Sequence, residues 1–294
     1  MEKAVYHLPG LFEFYDFYRK FLPIYREKTE YFYDWCQIGS LYGAPADCLW
    51  AGGRVSTGNA DPRQVLALTE EYGLSARLTF SNSLLCPEHL KDPKCNRLCA
   101  LFGAELGNGV IVHSELLLDY LKEKYPNFYF VSSTTKVLTD FEDLAAETER
   151  PDFRYVVPDF RLNKAFDRLA GLKEKRKVEF LCNECCWPGC RERKECYENV
   201  SRKNLGEHCP DHICAAPEGE KGYRFSAAMK NPAFIGIRDI RETYLPMGFS
   251  QFKIEGRGLG SAMLLEFILY YLTKPEYQLP LREEMYLDSM LDLF

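Results

Sequence analysis

Histidine is scarce in this chain, with five in 294 residues. No His-Glu-x-x-His pair, no Ser-His-Asp order and no nucleophile elbow can be found, so the common zinc-protease and serine-hydrolase patterns are missing. No run of 18 apolar residues occurs, and nothing is suited to span a membrane as a helix. Met1 to Gly10 lacks a basic leader and a long apolar core, so no secretory signal is expected there. No Gly-x-Gly-x-x-Gly follows an early strand, which weighs against a dinucleotide-binding open sheet. Internal repeats, low-complexity tracts and Pro/Ser linkers are also absent. The formal net charge of −6 lacks the cationic excess of a non-specific nucleic-acid binder. The densest basic run, Lys173 to Lys177, falls at an expected helix end, where it complements the helix dipole.

What is plentiful is cysteine. Seven of the 12 lie between Cys182 and Cys214. The apolar run Val178 to Leu181 reads as a buried strand, and it leads directly into Cys182-Asn183-Glu184-Cys185-Cys186-Trp187-Pro188-Gly189-Cys190. Thiols gathered at a strand end suit a soft metal. Disulfide frameworks belong to small secreted domains, and buried cysteines also serve as plain core residues. The Cys186-x3-Cys190 step, the Cys209-x4-Cys214 pair and the lack of a well-placed histidine pair favour an iron–sulfur cluster, with zinc as the alternative. Cys182 and Cys196 are reserve ligands. An unexported chain rich in thiols is expected in the reducing cytoplasm. Cys95 and Cys99 share a helical stripe with Leu98 and Phe102 and read as core, against a sharper reading in which they join Cys86 in a second metal site. Cys36 and Cys48 have no evident partner.

Along the chain, residues 1–30 are expected to form an aromatic helical extension interrupted at Pro23, with a barrel over 31–294 and a cysteine-rich insertion at 182–230. Strands are expected at Tyr31–Gly39, Ser75–Ser81, Val110–His113, Phe128–Val131, Arg154–Val157, Val178–Cys182, Ala233–Gly236 and Ser250–Glu255. Helices are expected at 61–72, opened by Asp61-Pro62 and closed by Gly73, and then at 93–103, 114–124, 140–149, 163–172, 238–244 and 259–272. Eight strands in βα alternation call for a parallel sheet, closed as a (β/α)8 TIM-like barrel, with an open doubly wound sheet as runner-up. The loop Trp50-Ala51-Gly52-Gly53-Arg54 allows close backbone approach, as a plain turn or as a ligand loop.

A second constellation lies in Phe249 to Arg257. Alternation puts Gln251, Lys253 and Glu255 on one face and Phe252 and Ile254 on the other. In a barrel the apolar face meets the helices, so Lys253 and Glu255 point inward near the C-terminal mouth, with Arg257 at the rim. There Glu255 can orient a hydroxyl or move a proton, and Lys253 and Arg257 can hold a carboxylate. A structural Lys–Glu pair filling the barrel is the other reading. Thr79 to Asn82, Ser132 to Lys136, Asn183 and Glu184 are polar strand ends aimed at the same mouth. His113 reads as a cap or core residue.

Together these residues resemble the collagenase-like U-32 peptidase family. The resemblance rests on Phe252-Lys253-Ile254-Glu255-Gly256-Arg257 and on Asn183-Glu184-x-Cys186-x3-Cys190, followed by Arg193 and the Cys209/Cys214 pair. Tyr42-Gly43, the Ser132-to-Lys136 strand end and Asn163 are further, less specific points of likeness, and the whole covers about residues 31 to 272. It implies a TIM-like barrel and, as in several members, a [4Fe–4S] cluster held by Cys186, Cys190, Cys209 and Cys214. It also implies oxygen-independent hydroxyl transfer on a small anionic or aromatic substrate, or the peptidase activity of other members. A related partner subunit is a further implication. The extra Cys182, Cys185 and Cys196 depart from the hydroxylase pattern. Two other functions stay open: a hydrolase using a thiolate such as Cys182, and a non-catalytic zinc-stapled barrel that binds a partner or RNA.

Overall fold

Eight parallel strands form one sheet in a computed structural model that describes residues 3–53, 58–217 and 225–287. They are β1 (Ala4–Pro9), β2 (Cys36–Gly43), β3 (Ser75–Phe80), β4 (Gly109–Val112), β5 (Tyr129–Ser132), β6 (Phe153–Val156), β7 (Glu179–Leu181) and β8 (Gln251–Lys253). Strands β1 to β6 pair in sequence order, β7 pairs with β8, and β8 pairs with β1. One parallel bridge, Val156 to Val178, links β6 to the residue before β7 and completes the ring. This is the expected (β/α)8 barrel.

The N-terminus corrects the expected extension. Ala4–Pro9 is a barrel strand inside the pairing order, between β2 and β8, and only α1 (Tyr15–Glu27) is helical. Alternation was present in it: Tyr6 and Leu8 face the helices and His7 faces the interior. The expected strand at Tyr31–Gly39 begins later, at Cys36, because Thr29–Tyr31 forms a 3-10 turn. The expected strand at Ala233–Gly236 does not form. Ile235 gives one hydrogen bond to the Cys182 carbonyl and then enters α9 (Ile237–Asp239) and a π-helical turn, Ile240–Tyr244. One strand missed and one added thus left the count at eight.

The helices follow their caps. The Asp61 side chain accepts from Arg63 N at the start of α2 (Pro62–Glu71). Asp92, Ser114 and Asp140 open α3 (Pro93–Phe102), α4 (Glu115–Lys124) and α5 (Phe141–Glu149) in the same way. The helix expected at 163–172 shrinks to α6 (Phe166–Leu169). α7 (Arg193–Asn204) lies in the long β7–β8 connection, followed by α8 (Phe225–Met229) and, after β8, by α10 (Ser261–Tyr271). The main core lies between strands and helices, and a smaller one, Tyr42, Ile111, Val131, Val157 and Leu181, fills the barrel. Cys95, Leu98, Cys99 and Phe102 are buried together in the outer core, as their stripe implied. Among the described residues no helix is long and apolar enough to cross a membrane. Arg54 and residues 218–224 of the expected insertion lie outside the described residues.

Candidate functional site at the C-terminal mouth

The barrel interior is built in layers by the inward residues of successive strands. Toward the N-terminal end, Glu179 of β7 is fully buried among cations and a histidine. Its Oε2 accepts from Arg77 at 2.5 Å, His7 Nε2 lies at 3.5 Å, and its Oε1 lies 3.4 Å from Lys253 Nζ. Burial pushes its carboxyl up, but Arg77 and the other positive neighbours bring it down to about 2. His7 bonds Ser40 Oγ and Gln251 Oε1 through its two ring nitrogens. Burial, then Arg77, lowers its pKa to about 3, so the ring is neutral at pH 7.

Above this layer sits Lys253. Its ammonium stands 3.8 Å above the Tyr42 ring, a cation–π contact inside the barrel. Burial lowers its pKa to about 8 against the opposing pull of Glu179. The alternation expected of this strand holds: Gln251 and Lys253 face inward, and Phe252 and Ile254 lie in the outer core.

The pocket over these layers is lined by residues from most of the strand ends. Tyr42, Ile111 and Leu181 supply apolar surface. Thr79, Ser81, Ser133, Thr134 and Thr135 supply hydroxyls, and Lys253, Glu255, Arg257, Cys185 and Tyr197 complete the lining. The Oγ1 atoms of Thr79 and Thr134 are buried and have no hydrogen-bond partner among the described residues. Gly52 brings the β2–α2 connection onto β3, since a Cβ there would lie 2.3 Å from the Ser81 carbonyl oxygen.

Arg257 lies at the rim as expected, but its charge is met from within. Its Nη2 lies 2.6 Å from Glu13 Oε1, and the Glu13 side chain is fully buried. That pairing argues against Arg257 as a clamp for a substrate carboxylate. Glu255 is held by its backbone to Asn183, and its carboxylate belongs with Glu184 and Cys185 to a group whose ligand atoms all lie within 4.8 Å of one another. Glu184 accepts from the backbone N–H groups of Cys185 and Cys186 and pairs with buried Arg193. His113 bonds Thr135 Oγ1 at 2.8 Å, and Lys136 pairs with Glu115 and Glu147 away from the pocket.

None of the 12 cysteines is in a disulfide. Cys182 is fully buried in the outer core, with its thiol toward the Phe180 carbonyl and its pKa pushed up by burial. It is thus placed as a packing residue and not as a reserve ligand. Arg161 donates to the backbone carbonyl of Cys190 at 2.8 Å. Asn199 of α7 donates to Cys209 Sγ at 3.6 Å. Cys190 is buried, Cys186, Cys196 and Cys209 are half-buried, and Cys214 is exposed. An N–H donor on a sulfur, as at Cys209, suits a thiolate-held centre. A tetrahedral zinc needs its sulfurs about 3.8 Å apart, and among the described residues no three of the sulfurs come within 4.8 Å of one another. By ligand type, thiolates suit a four-iron cluster as well as zinc. The proposed second site at Cys86, Cys95 and Cys99 does not converge either; Cys86 instead contacts His89 Nδ1 at 3.2 Å.

Glu179, Arg77, His7 and Glu13 were not singled out from sequence. Period-2 alternation would have found Glu179, two residues before inward Leu181. The pairing of Glu13 with Arg257 spans 244 residues and carries no local signal.

No protein-family model and no curated protein matches the chain. Among solved structures it is similar to the U32 peptidase Mk0906, with a TM-score of 0.55 and 14% identity over 88% of this chain and 94% of that one. At that identity the likeness shows the fold.

Proposed function

We propose that this chain is an iron–sulfur enzyme of the collagenase-like U-32 type, working at the C-terminal mouth of its barrel on a small aromatic or anionic molecule by redox or hydroxyl-transfer chemistry. Both the motif from Phe252 to Arg257 and the similarity to a U32 peptidase structure favour that family. The observation that carries the reading is a shared location: Cys185, the chain neighbour of Cys186, borders the same pocket as Lys253 and Glu255.

Cys186, Cys190, Cys209 and Cys214 would hold the cluster, with Cys196 in reserve. Bound there, it would supply electron transfer or Lewis acidity at the pocket wall. The protein's own groups do the rest. Tyr42, Ile111 and Leu181 take the apolar body of the substrate and exclude water from it. The Thr79 and Thr134 hydroxyls bind a polar edge. Lys253, with a pKa of about 8, exchanges a proton close to neutral pH, and Glu255 is the accepting carboxylate nearby. Arg257 and Glu13 brace the rim. The test is anaerobic purification with iron and sulfide analysis and a visible spectrum. Four irons and four sulfides per chain are expected. A colourless protein lacking both, even after anaerobic reconstitution, would falsify the cluster.

A U-32-type peptidase is the second reading, favoured by the name of the structural neighbour and by Cys185 lying within 4.8 Å of the Glu184 and Glu255 carboxylates at the mouth. Peptide cleavage by iron-free protein, abolished on alkylation of Cys185, would select it.

A further inference from the structure

Two thiols that share no motif meet beside the mouth. Cys48 Sγ lies 3.1 Å from Cys95 Sγ. Cys48 belongs to the connection after β2, and Cys95 stands in the first turn of α3, where Asp92 accepts from its backbone N–H. Both are buried, at 1% and 0% exposure. At this separation the two sulfurs are closer than an ordinary van der Waals contact. A disulfide, at about 2.05 Å, requires a further approach of only about 1 Å.

We infer that Cys48 and Cys95 form a reversible disulfide, a covalent modification site that fastens the β2–α2 connection to α3 at the rim of the mouth. The oxidant is a low-molecular-weight disulfide. One protein thiolate attacks it and releases one small thiol, leaving a mixed disulfide. The second protein thiolate then attacks the protein-bound sulfur and displaces the other small thiol. The protein gives up two hydrogens, as two protons and an electron pair, and the small disulfide becomes two thiols. Burial keeps both sulfurs from solvent while the connection is seated, so exchange proceeds through local opening and is slow.

The connection concerned is part of the mouth. Its Leu49 and Trp50 carbonyls accept from Asn82 at the end of β3, and its Ala51 carbonyl accepts from Asn204 of α7. Trp50 is fully buried and donates to the His89 carbonyl. A Cβ at Gly53 would lie 2.6 Å from Arg257 Nη1. Tying Cys48 to α3 therefore restrains one wall of the pocket. Cys99, one turn further along α3, lies in the same buried core and is the alternative partner.

The test treats reduced, full-length protein with oxidised glutathione, then denatures it, alkylates the remaining thiols and maps the linked peptides by mass spectrometry. A Cys48–Cys95 linked pair is expected, together with a Tm rise of roughly 5 °C or more, because the link closes a long loop. Cys95→Ser should lack both the link and the rise. The wild-type peptide map decides the question even if that variant folds poorly. Recovery of both cysteines alkylated, or a Cys48–Cys99 link in their place, overturns the assignment. A Cys48–Cys95 link that leaves Tm unchanged overturns the fastening role.

Discussion

Asn183 and Glu255 hold each other through two hydrogen bonds. The Asn183 side chain donates Nδ2–H to the Glu255 carbonyl at 3.0 Å, and its Oδ1 accepts the Glu255 backbone N–H at 2.7 Å. The amide acts as one more rung of the β7–β8 ladder beyond the strand ends, and it sets where the Glu255 side chain starts.

Asn183→Ala should remove both bonds and leave two backbone groups short of partners. A loss of about 2–4 kcal/mol is expected, read by urea denaturation. Asn183→Asp keeps the acceptor and should fall between. A midpoint equal to wild type for the alanine variant would show that the rung contributes nothing.

Acid should destabilise the protein in two steps. The folded pKa of His7, about 3, lies below its unfolded value near 6.5, so the unfolded chain binds the proton first and stability falls as pH drops from about 6.5 toward 3. Glu179, depressed to about 2, adds stability above the ordinary carboxyl value of 4.5 that is lost as pH falls from there toward 2. His113, lowered to about 4 by burial, shares the first window. His7→Gln should therefore reduce the slope of stability against pH between 6.5 and 4 without abolishing it. An unchanged slope would count against a neutral, buried His7.

Cys182 and Cys186 should part company. Cys182→Ala should keep full iron and sulfide content and lose about 1 kcal/mol or somewhat more by leaving a small cavity in the outer core. Cys186→Ser should lose most of the iron and change Tm through the loop alone. Equal iron loss in both variants would mean that Cys182 has left the packed position seen here.

Stripping the proposed cluster with a strong chelator should leave the far-UV spectrum of the barrel nearly unchanged while exposing residues 186–217 to limited proteolysis, since those residues contribute little to the barrel cores. Global unfolding on chelation would place the metal in the fold's foundation instead.

Gly52→Ala should cost about 1–3 kcal/mol, because the new Cβ would lie 2.3 Å from a backbone oxygen that cannot swing aside. Gly171→Ala, whose nearest contact is 3.4 Å, is the matched control and should be close to neutral. Thermal denaturation of the pair separates close approach from any general effect of alanine.

Much of the architecture was legible before folding. Helix starts were written in Asp61-Pro62, Asp92-Pro93, Ser114 and Asp140, because a cap is a bond between residues two or three apart. The inward set of β8 was legible because side chains alternate along any strand. β1 was hidden: six residues beginning Ala-Val-Tyr-His, next to an aromatic helix, carry too little signal alone. Ala233–Gly236 carried the converse error, an apolar stretch that packs without pairing.

The sequence by itself determined the βα rhythm, the inward face of the last strand and the crowding of thiols after the seventh, since all three rest on neighbours along the chain. Only the tertiary structure decided that Glu13 meets Arg257, that Glu179 lies among Arg77, His7 and Lys253, that Cys182 turns into the outer core, and that Cys48 faces Cys95. Those choices were made by closure of the barrel. Ring closure brings the first strand against the last, and charges brought out of water must then find partners wherever the ring has placed them.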